Sequence, residues 1–332
     1  MENKGFGIAT YQDTRDEMMK YRERGALRGV YLGFPILHEN YTMSLPGCSD
    51  WTGKPQSGKS EFVLELLLNT SLFYGWKHLM YVPDIGKKEV VISKLIHKLS
   101  GKTFDKRYIN LNYITEEEID KHLLWVMEHF KIVTRKDTRK KITPYEFWDW
   151  AVKIKKEEGL HTATIDSWKD MKRYVGRDGE QIMRDDLYLE DVLEYRNALS
   201  EEHDLHFHII IHPLKTEKDN NGMYKPPHPY DLKGGTTWFD SGKCMGTVHR
   251  VDGTYNEVKI IFNKAKPETV ASVGECTFFF DRETSRYYTD NFGEKAFANH
   301  INEKPKALLI SEEQSNKQSR IGFDDEDDDM PF

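Results

Sequence analysis

The stretch Gly53-Lys54-Pro55-Gln56-Ser57-Gly58-Lys59-Ser60 decides the fold of this chain. Its spacing, two glycines followed by Lys and Ser, belongs to a loop whose bare backbone N–H groups close around phosphate oxygens. The loop opens a helix, whose partial positive charge favours an anion. In such a loop Lys59 reaches the β- and γ-phosphates and the Ser60 hydroxyl ligates Mg2+. Gly53 to Ser60, with Glu61 following, are therefore candidate nucleotide-binding residues, and ATP with Mg2+ is the expected cofactor pair.

The flanks support this. Residues 61–74 (EFVLELLLNTSLFY) carry apolar side chains at helical spacing, and residues 78–83 (HLMYVP) read as a buried strand. Strand, glycine-rich loop, helix and strand is the order a P-loop requires. Residues 31–60 alternate apolar runs with Gly and Pro, and Asp50 interrupts the strand expected just before Gly53. Helices are predicted over 89–99, 116–130, 144–158 and 186–203. Residues 162–166 (TATID) and 207–211 (FHIII) fit interior strands of a parallel sheet. Beyond Asp231 strands are expected at 247–251, 257–263 and 276–280. The class is α/β, with a mostly parallel central sheet flanked by helices.

Residues 10–24 read as a short charged helix ending at Gly25, with Met18, Met19 and Tyr21 as sparse apolar positions. Such a helix caps its own core or docks on a neighbouring subunit. From about residue 311 the apolar content is too low to fold, so a disordered acidic tail is expected. The organisation is a linker helix over 1–30, an ATPase domain over 31–300 and a tail over 301–332.

A chain of 332 residues, 38% hydrophobic, supports one sizeable α/β domain. No run of about 18 apolar residues occurs, and the first residues lack the pattern of a signal peptide. A soluble protein with no membrane partner is expected. Cys48, Cys244 and Cys276 are far apart and form no CxxC pair, so they read as reduced structural residues. The net charge of −7 is local: six acids between Asp324 and Asp329 account for −6 of it, leaving the body near neutral.

Asp166 ends an apolar strand about a hundred residues after the P-loop, where an acidic partner for the metal belongs. A strand-end aspartate by itself serves equally as a cap or turn. His212 closes the next predicted strand, where active-site groups of open α/β sheets gather, although such a histidine is often structural.

Five stretches, GKPQSGKSEF, YGWKHLMYVPD, TATIDSW, HDLHFHIIIHPLK and PHPYDLKGGTTWFDSGKCMGTVHR, occur in an order and spacing similar to those of a known family. Between about Gly33 and Asp290 the chain resembles the RecA-like motor domain of DnaB-type replicative helicases, especially the Twinkle-like branch of mitochondria, phages and bacteria. The resemblance implies a ring-forming ATPase, usually a homo-hexamer, that moves along single-stranded DNA. It implies that His212 senses the γ-phosphate, that Arg250 lies near the nucleotide and that Phe280 stacks on the base. Lys264 and Lys266 fall where the family has a Lys-x-Arg pair entering the adjacent subunit's site, a role based on neutralising charge on the transferring phosphoryl group.

Three positions depart from the family. Asp84 stands where the catalytic base is a glutamate, keeping a carboxylate one methylene shorter. Lys266 replaces the arginine finger, retaining charge but losing the planar fork. Lys243 stands where an acidic residue is usual. The first two weaken the expectation of fast hydrolysis.

The family's channel loops follow the metal-binding and sensor strands. Here they make DNA candidates of Lys169, Lys172, Arg173 and Arg177 in one loop, and of Lys215, Lys218 and Lys225 in the other. Cations of this kind track a backbone without reading sequence, and equally serve as ordinary solvated charges. The ending FDDEDDDMPF is similar to the acidic tip of bacterial single-stranded-DNA-binding proteins. A terminal aromatic fills an apolar pocket while its carboxylate and the acids before it meet basic residues. Asp327, Asp328, Asp329, Met330, Pro331 and Phe332 are thus candidate docking residues for a primase, polymerase or repair factor, the alternative being a solubilising tail. The leading expectation is a phage-type DNA helicase working in a bacterial cytoplasm. The alternative is a RecA-like single-stranded-DNA-binding ATPase with weak hydrolysis, acting in recombination, annealing or helicase loading.

Overall fold

The computed structural model describes residues 8–26, 28–108, 112–135, 137, 139–182 and 184–299. The candidate tail residues Asp327 to Phe332 lie outside them. In chain order the helices and strands begin with α1 (Tyr11–Arg24), α2 (Pro35–Asn40), β1 (Gly47–Thr52), α3 (Lys59–Tyr74) and β2 (His78–Tyr81). There follow α4 (Lys88–Ser100), α5 (Glu116–His129), β3 (Phe130–Ile132), α6 (Pro144–Glu158), β4 (Thr162–Asp166), α7 (Asp185–His203) and β5 (His206–Ile210). The last are α8 (Gly235–Ser241), β6 (Cys244–Arg250), β7 (Glu257–Lys264), β8 (Gly274–Asp281), β9 (Arg286–Asn291) and β10 (Glu294–Phe297).

One sheet runs in the order β10-β9-β8-β7-β6-β1-β5-β4-β2-β3. From β6 to β3 neighbours are parallel, and from β6 to β10 they are antiparallel. One apolar core joins α3, α4 and the antiparallel wing through residues such as Phe62, Leu66, Phe262 and Phe278. The other lies under α6, α7 and α8 around Trp148, Val192, Phe207 and Trp238. Helices thus cover both faces, as expected for a largely parallel sheet.

Local chemistry fixes the helix ends. Thr115 with Glu118, and Thr143 with Glu146, form capping boxes that start α5 and α6. The αL conformation of Gly75 closes α3. Met18, Met19 and Tyr21 of α1 are exposed.

Asp50 does not interrupt β1, contrary to the sequence expectation. It lies within the strand with its side chain fully buried, and the equally buried Arg196 of α7 meets it at 2.5 Å. A buried charge is tolerated when it is paired, and the partner here is remote in sequence. The structure also has β3, β9, β10, α2 and α8, which no pattern announced, and β6 begins three residues before the predicted 247.

Candidate active site

β1 ends at Thr52 and delivers Gly53 to the C-terminal edge of the sheet, between β5 and β6. A Cβ on Gly53 would come within 2.2 Å of the Val248 carbonyl oxygen, and one on Gly58 within 2.7 Å of the Tyr287 hydroxyl. Only glycine lets the loop lie this close to its neighbours. Lys59 Nζ donates to the carbonyls of Gly53 and Lys54, both at 2.9 Å. Burial pulls the Lys59 ammonium down to about 8, against the attraction of Asp166 and Asp84.

The acidic candidates converge on this loop. Asp166, the last residue of β4, is 1% exposed. Its Oδ2 accepts a hydrogen bond from the Ser60 hydroxyl, and its buried Oδ1 has no hydrogen-bond partner among the described residues. Burial lifts its carboxyl to about 6, with Ser60 opposing the rise. Asp84, just past β2, is held beside it by its own N–H, 3.4 Å from the Asp166 carbonyl oxygen. Asp84 Oδ2 lies 3.2 Å from His212 Nε2, and Asp84 Oδ1 lies 2.8 Å from Lys169 Nζ. Burial would raise the Asp84 carboxyl, but Lys169 and His212 outweigh it and hold it below the ordinary range. Burial, with Lys59 and Lys169 nearby, keeps His212 below its ordinary value. A neutral imidazole serves Asp84 by donating from Nε2.

Beside the P-loop a cavity of about 300 Å3 is lined by Gln56, Ser57, Gly58, Glu61, Arg250, Phe280 and Tyr287. Arg250 and Phe280 therefore meet at one hollow. Tyr287 donates its hydroxyl to the Gly58 carbonyl at 3.1 Å. Behind the wall, Lys98 Nζ stands 5.6 Å from the Phe280 ring centre, 3.2 Å from Glu61 and 3.4 Å from the buried Glu65, which Arg286 also contacts at 2.6 Å. These charges tie the first turns of α3 to α4 and β9.

The remaining candidates divide. Lys54 reaches the Asp252 carboxylate, whose second oxygen accepts the Tyr224 N–H at 2.8 Å, and Pro55 lines the adjoining hollow. Lys218 lies 4.7 Å from the Tyr224 ring centre, Lys225 stands 4.0 Å from Glu217, and Lys215 is exposed. Lys172, Arg173 and Arg177 follow Lys169 on the loop after β4, and Arg177 is 3.7 Å from Asp191. Lys264 and Lys266 are not brought to this chain's P-loop. Lys264 pairs in register with Met245, at the end of β6 opposite Arg250, and donates to the Asp240 carbonyl at 2.9 Å. Lys266 is exposed beyond it, and Lys243 pairs with Glu201 at 3.4 Å.

The donor set fits a magnesium nucleotide. A P-loop hydroxyl meets a carboxylate with one oxygen that has no hydrogen-bond partner among the described residues, beside a lysine at the mouth of a helix, and the same is true of the buried Ser57 hydroxyl.

A solved ATPase domain superposes with a TM-score of 0.66 at 15% identity, over 86% of this chain and 100% of that one. A DnaB-like replicative helicase, solved in a study of its interactions with primase, gives 0.65 at 16% identity, over 85% of this chain and 68% of that one. The chain thus shares its fold with the ATPase domains of DnaB-like helicases. In sequence, the chain resembles the Twinkle homolog protein, chloroplastic/mitochondrial, of Arabidopsis thaliana, 24% identical over 292 residues, or 85% of this chain and 40% of that protein. The chain thus spans about two fifths of the length of that curated relative. No family model matches it.

Within this fold several residues around the P-loop have no sequence signal. Lys169 reads in sequence only as a loop cation, and its contact with Asp84 is tertiary. Tyr287, Lys98 and Arg286 owe their places to β9 and α4. Only the alternation of RYYT in β9 hints that one tyrosine faces inward.

Proposed function

We propose that this chain is an ATP-dependent motor on single-stranded DNA, a helicase or translocase of phage-type replication that works as a homo-hexameric ring. The observation carrying this reading is the meeting of Lys59, Ser60, Asp84, Asp166 and His212 at one edge of the sheet, next to two loops rich in cations. Bound with ATP, Mg2+ would neutralise phosphate charge. Lys59 contributes a cation at the β- and γ-phosphates, and Ser60 with Asp166 would hold the metal. Asp84 accepts a proton from the attacking water, and His212 orients that carboxylate and reports the γ-phosphate state to the loop behind it. Arg250 and Phe280 take the nucleotide's base end. The remoteness of Lys264 and Lys266 from their own P-loop suits action on a neighbouring subunit, with a charge but no fork at position 266.

Lys169, Lys172, Arg173, Arg177, Lys215, Lys218 and Lys225 would follow the DNA backbone. The organisation is a docking helix over 1–30, the motor over 31–300 and a tail over 301–332. The Asp327 to Phe332 ending would recruit replication or repair proteins in the cytoplasm of a bacterial host. Among the described residues, no helix is long and apolar enough to cross a membrane.

Strand displacement on a forked substrate tests the motor. Unwinding that needs ATP and vanishes in Lys59→Ala is expected; an ATP-bound ring that never unwinds defeats it. The second reading, a slow DNA-binding ATPase, draws on Asp84 being engaged at both oxygens and on Lys266. A large gain in turnover from Asp84→Glu with Lys266→Arg would favour it.

A further inference from the structure

Lys169 lies three residues past Asp166, on the loop that also carries Lys172, Arg173 and Arg177. Its ammonium is turned toward the site, 2.8 Å from Asp84 Oδ1, while Asp84 Oδ2 faces His212 at 3.2 Å. Both oxygens are engaged, one of them by a cation, and a carboxylate in that condition is a poor acceptor for a water proton. The Lys169 side chain is 52% exposed, and an ion pair at such a position is weak enough to exchange partners.

On the other side of Lys169 opens a cleft of about 290 Å3, lined also by Trp168, Arg173, Tyr174, His212 and Lys233. Its one acid, Asp185, is paired with Lys233 at 2.6 Å. A phosphate entering this cleft meets Arg173 and competes with Asp84 for the Lys169 ammonium.

We infer that Lys169 is a restraining, positioning residue whose ion pair keeps Asp84 idle until a nucleic-acid phosphate on the same loop draws the ammonium away. The inference rests on the proposed roles of Asp84 in ATP hydrolysis and of single-stranded DNA as ligand. His212 still orients the freed carboxylate.

The test is steady-state ATP turnover of the full chain, with and without oligo-deoxythymidine, in wild type, Lys169→Ala, Lys169→Arg and Lys169→Ala with Asp84→Ala. A fluorescent ATP analogue monitors binding. Lys169→Ala is expected to raise DNA-free kcat about tenfold at unchanged KM and to lose the DNA response, the direction opposite to that of a damaged site. Lys169→Arg should restore the restraint and the response, and adding Asp84→Ala should erase the gain. If Lys169→Ala has a DNA-free kcat at or below wild type and DNA still accelerates both equally, the inference falls and the motor reading stands. A wild type that neither binds the analogue nor turns over ATP overturns both.

Discussion

Asp50 and Asp166 lie on β1 and β4, on either side of β5, and both are buried carboxylates in the same sheet. Asp50 sits mid-strand with Arg196 against its Oδ1 at 2.5 Å, both side chains fully buried, and among the described residues its Oδ2, like Asp166 Oδ1, lacks a hydrogen-bond partner. Asp166 ends its strand and, among the described residues, forms no ion pair; Ser60 serves one oxygen and the other lacks a hydrogen-bond partner. The first carboxylate carries its own counter-charge and is part of the framework. The second bears the cost of burial with no cation paired to it, which is the condition of a group reserved for a ligand.

The largest expected effect comes from Asp166→Asn. ATP turnover should fall about 10³-fold, about 4 kcal/mol of barrier, while the protein becomes more stable. The sign follows from the carboxyl being raised from 3.8 to about 6. The native state holds its proton more tightly than the unfolded chain, so this group's contribution declines as pH rises through about 4 to 6. Removing the charge should recover about 1–3 kcal/mol at pH 7 and almost nothing near pH 4, as read by denaturant unfolding at the two pH values.

Burial raises the Asp50 carboxyl as well, with Arg196 opposing the rise, but Asp50→Asn should act the other way on stability because of that partner. It strands the Arg196 guanidinium in the core and should destabilise the fold by about 3–5 kcal/mol. Asp50→Leu with Arg196→Met should return most of that loss, because removing both charges of a buried pair is often neutral. Thermal or chemical unfolding of the three variants measures this.

Two smaller effects sharpen the comparison at the site's edge. Tyr287→Phe deletes the hydroxyl that meets Gly58, so titration with a fluorescent ATP analogue should show affinity weakened by about 1 kcal/mol, roughly fivefold. Asp252→Asn removes the carboxylate partner of Lys54 and weakens the acceptor of the Tyr224 N–H, and should reduce DNA-stimulated turnover by no more than about 1 kcal/mol in effective barrier.

What is legible in sequence is local. The P-loop spacing, the apolar α3 and the short strand ending at Asp166 each carry their signal within a few residues. Asp50 reads as an interruption because Arg196, which makes it tolerable mid-strand, arrives from a helix 146 positions later. β3 merges into the end of a predicted helix, since FKI follows α5 with no turn residue between them. Lys169 looks like any loop cation, because its distance from Asp84 is set by the pairing of β4 with β2 and by nothing in its own neighbourhood. The resemblance to helicase motors singles out His212, Arg250 and Phe280; the first lies at Asp84 and the other two line the cavity beside Gly58.

The most direct test compares ATP turnover per folded molecule in Asp166→Asn and Asp50→Asn, with the folded fraction fixed by unfolding curves on the same samples. Near wild-type turnover in Asp50→Asn, and a loss of about 10³-fold in a stabilised Asp166→Asn, is the predicted result. Equal losses in both, or an active Asp166→Asn, would contradict the division of the two carboxylates into framework and site.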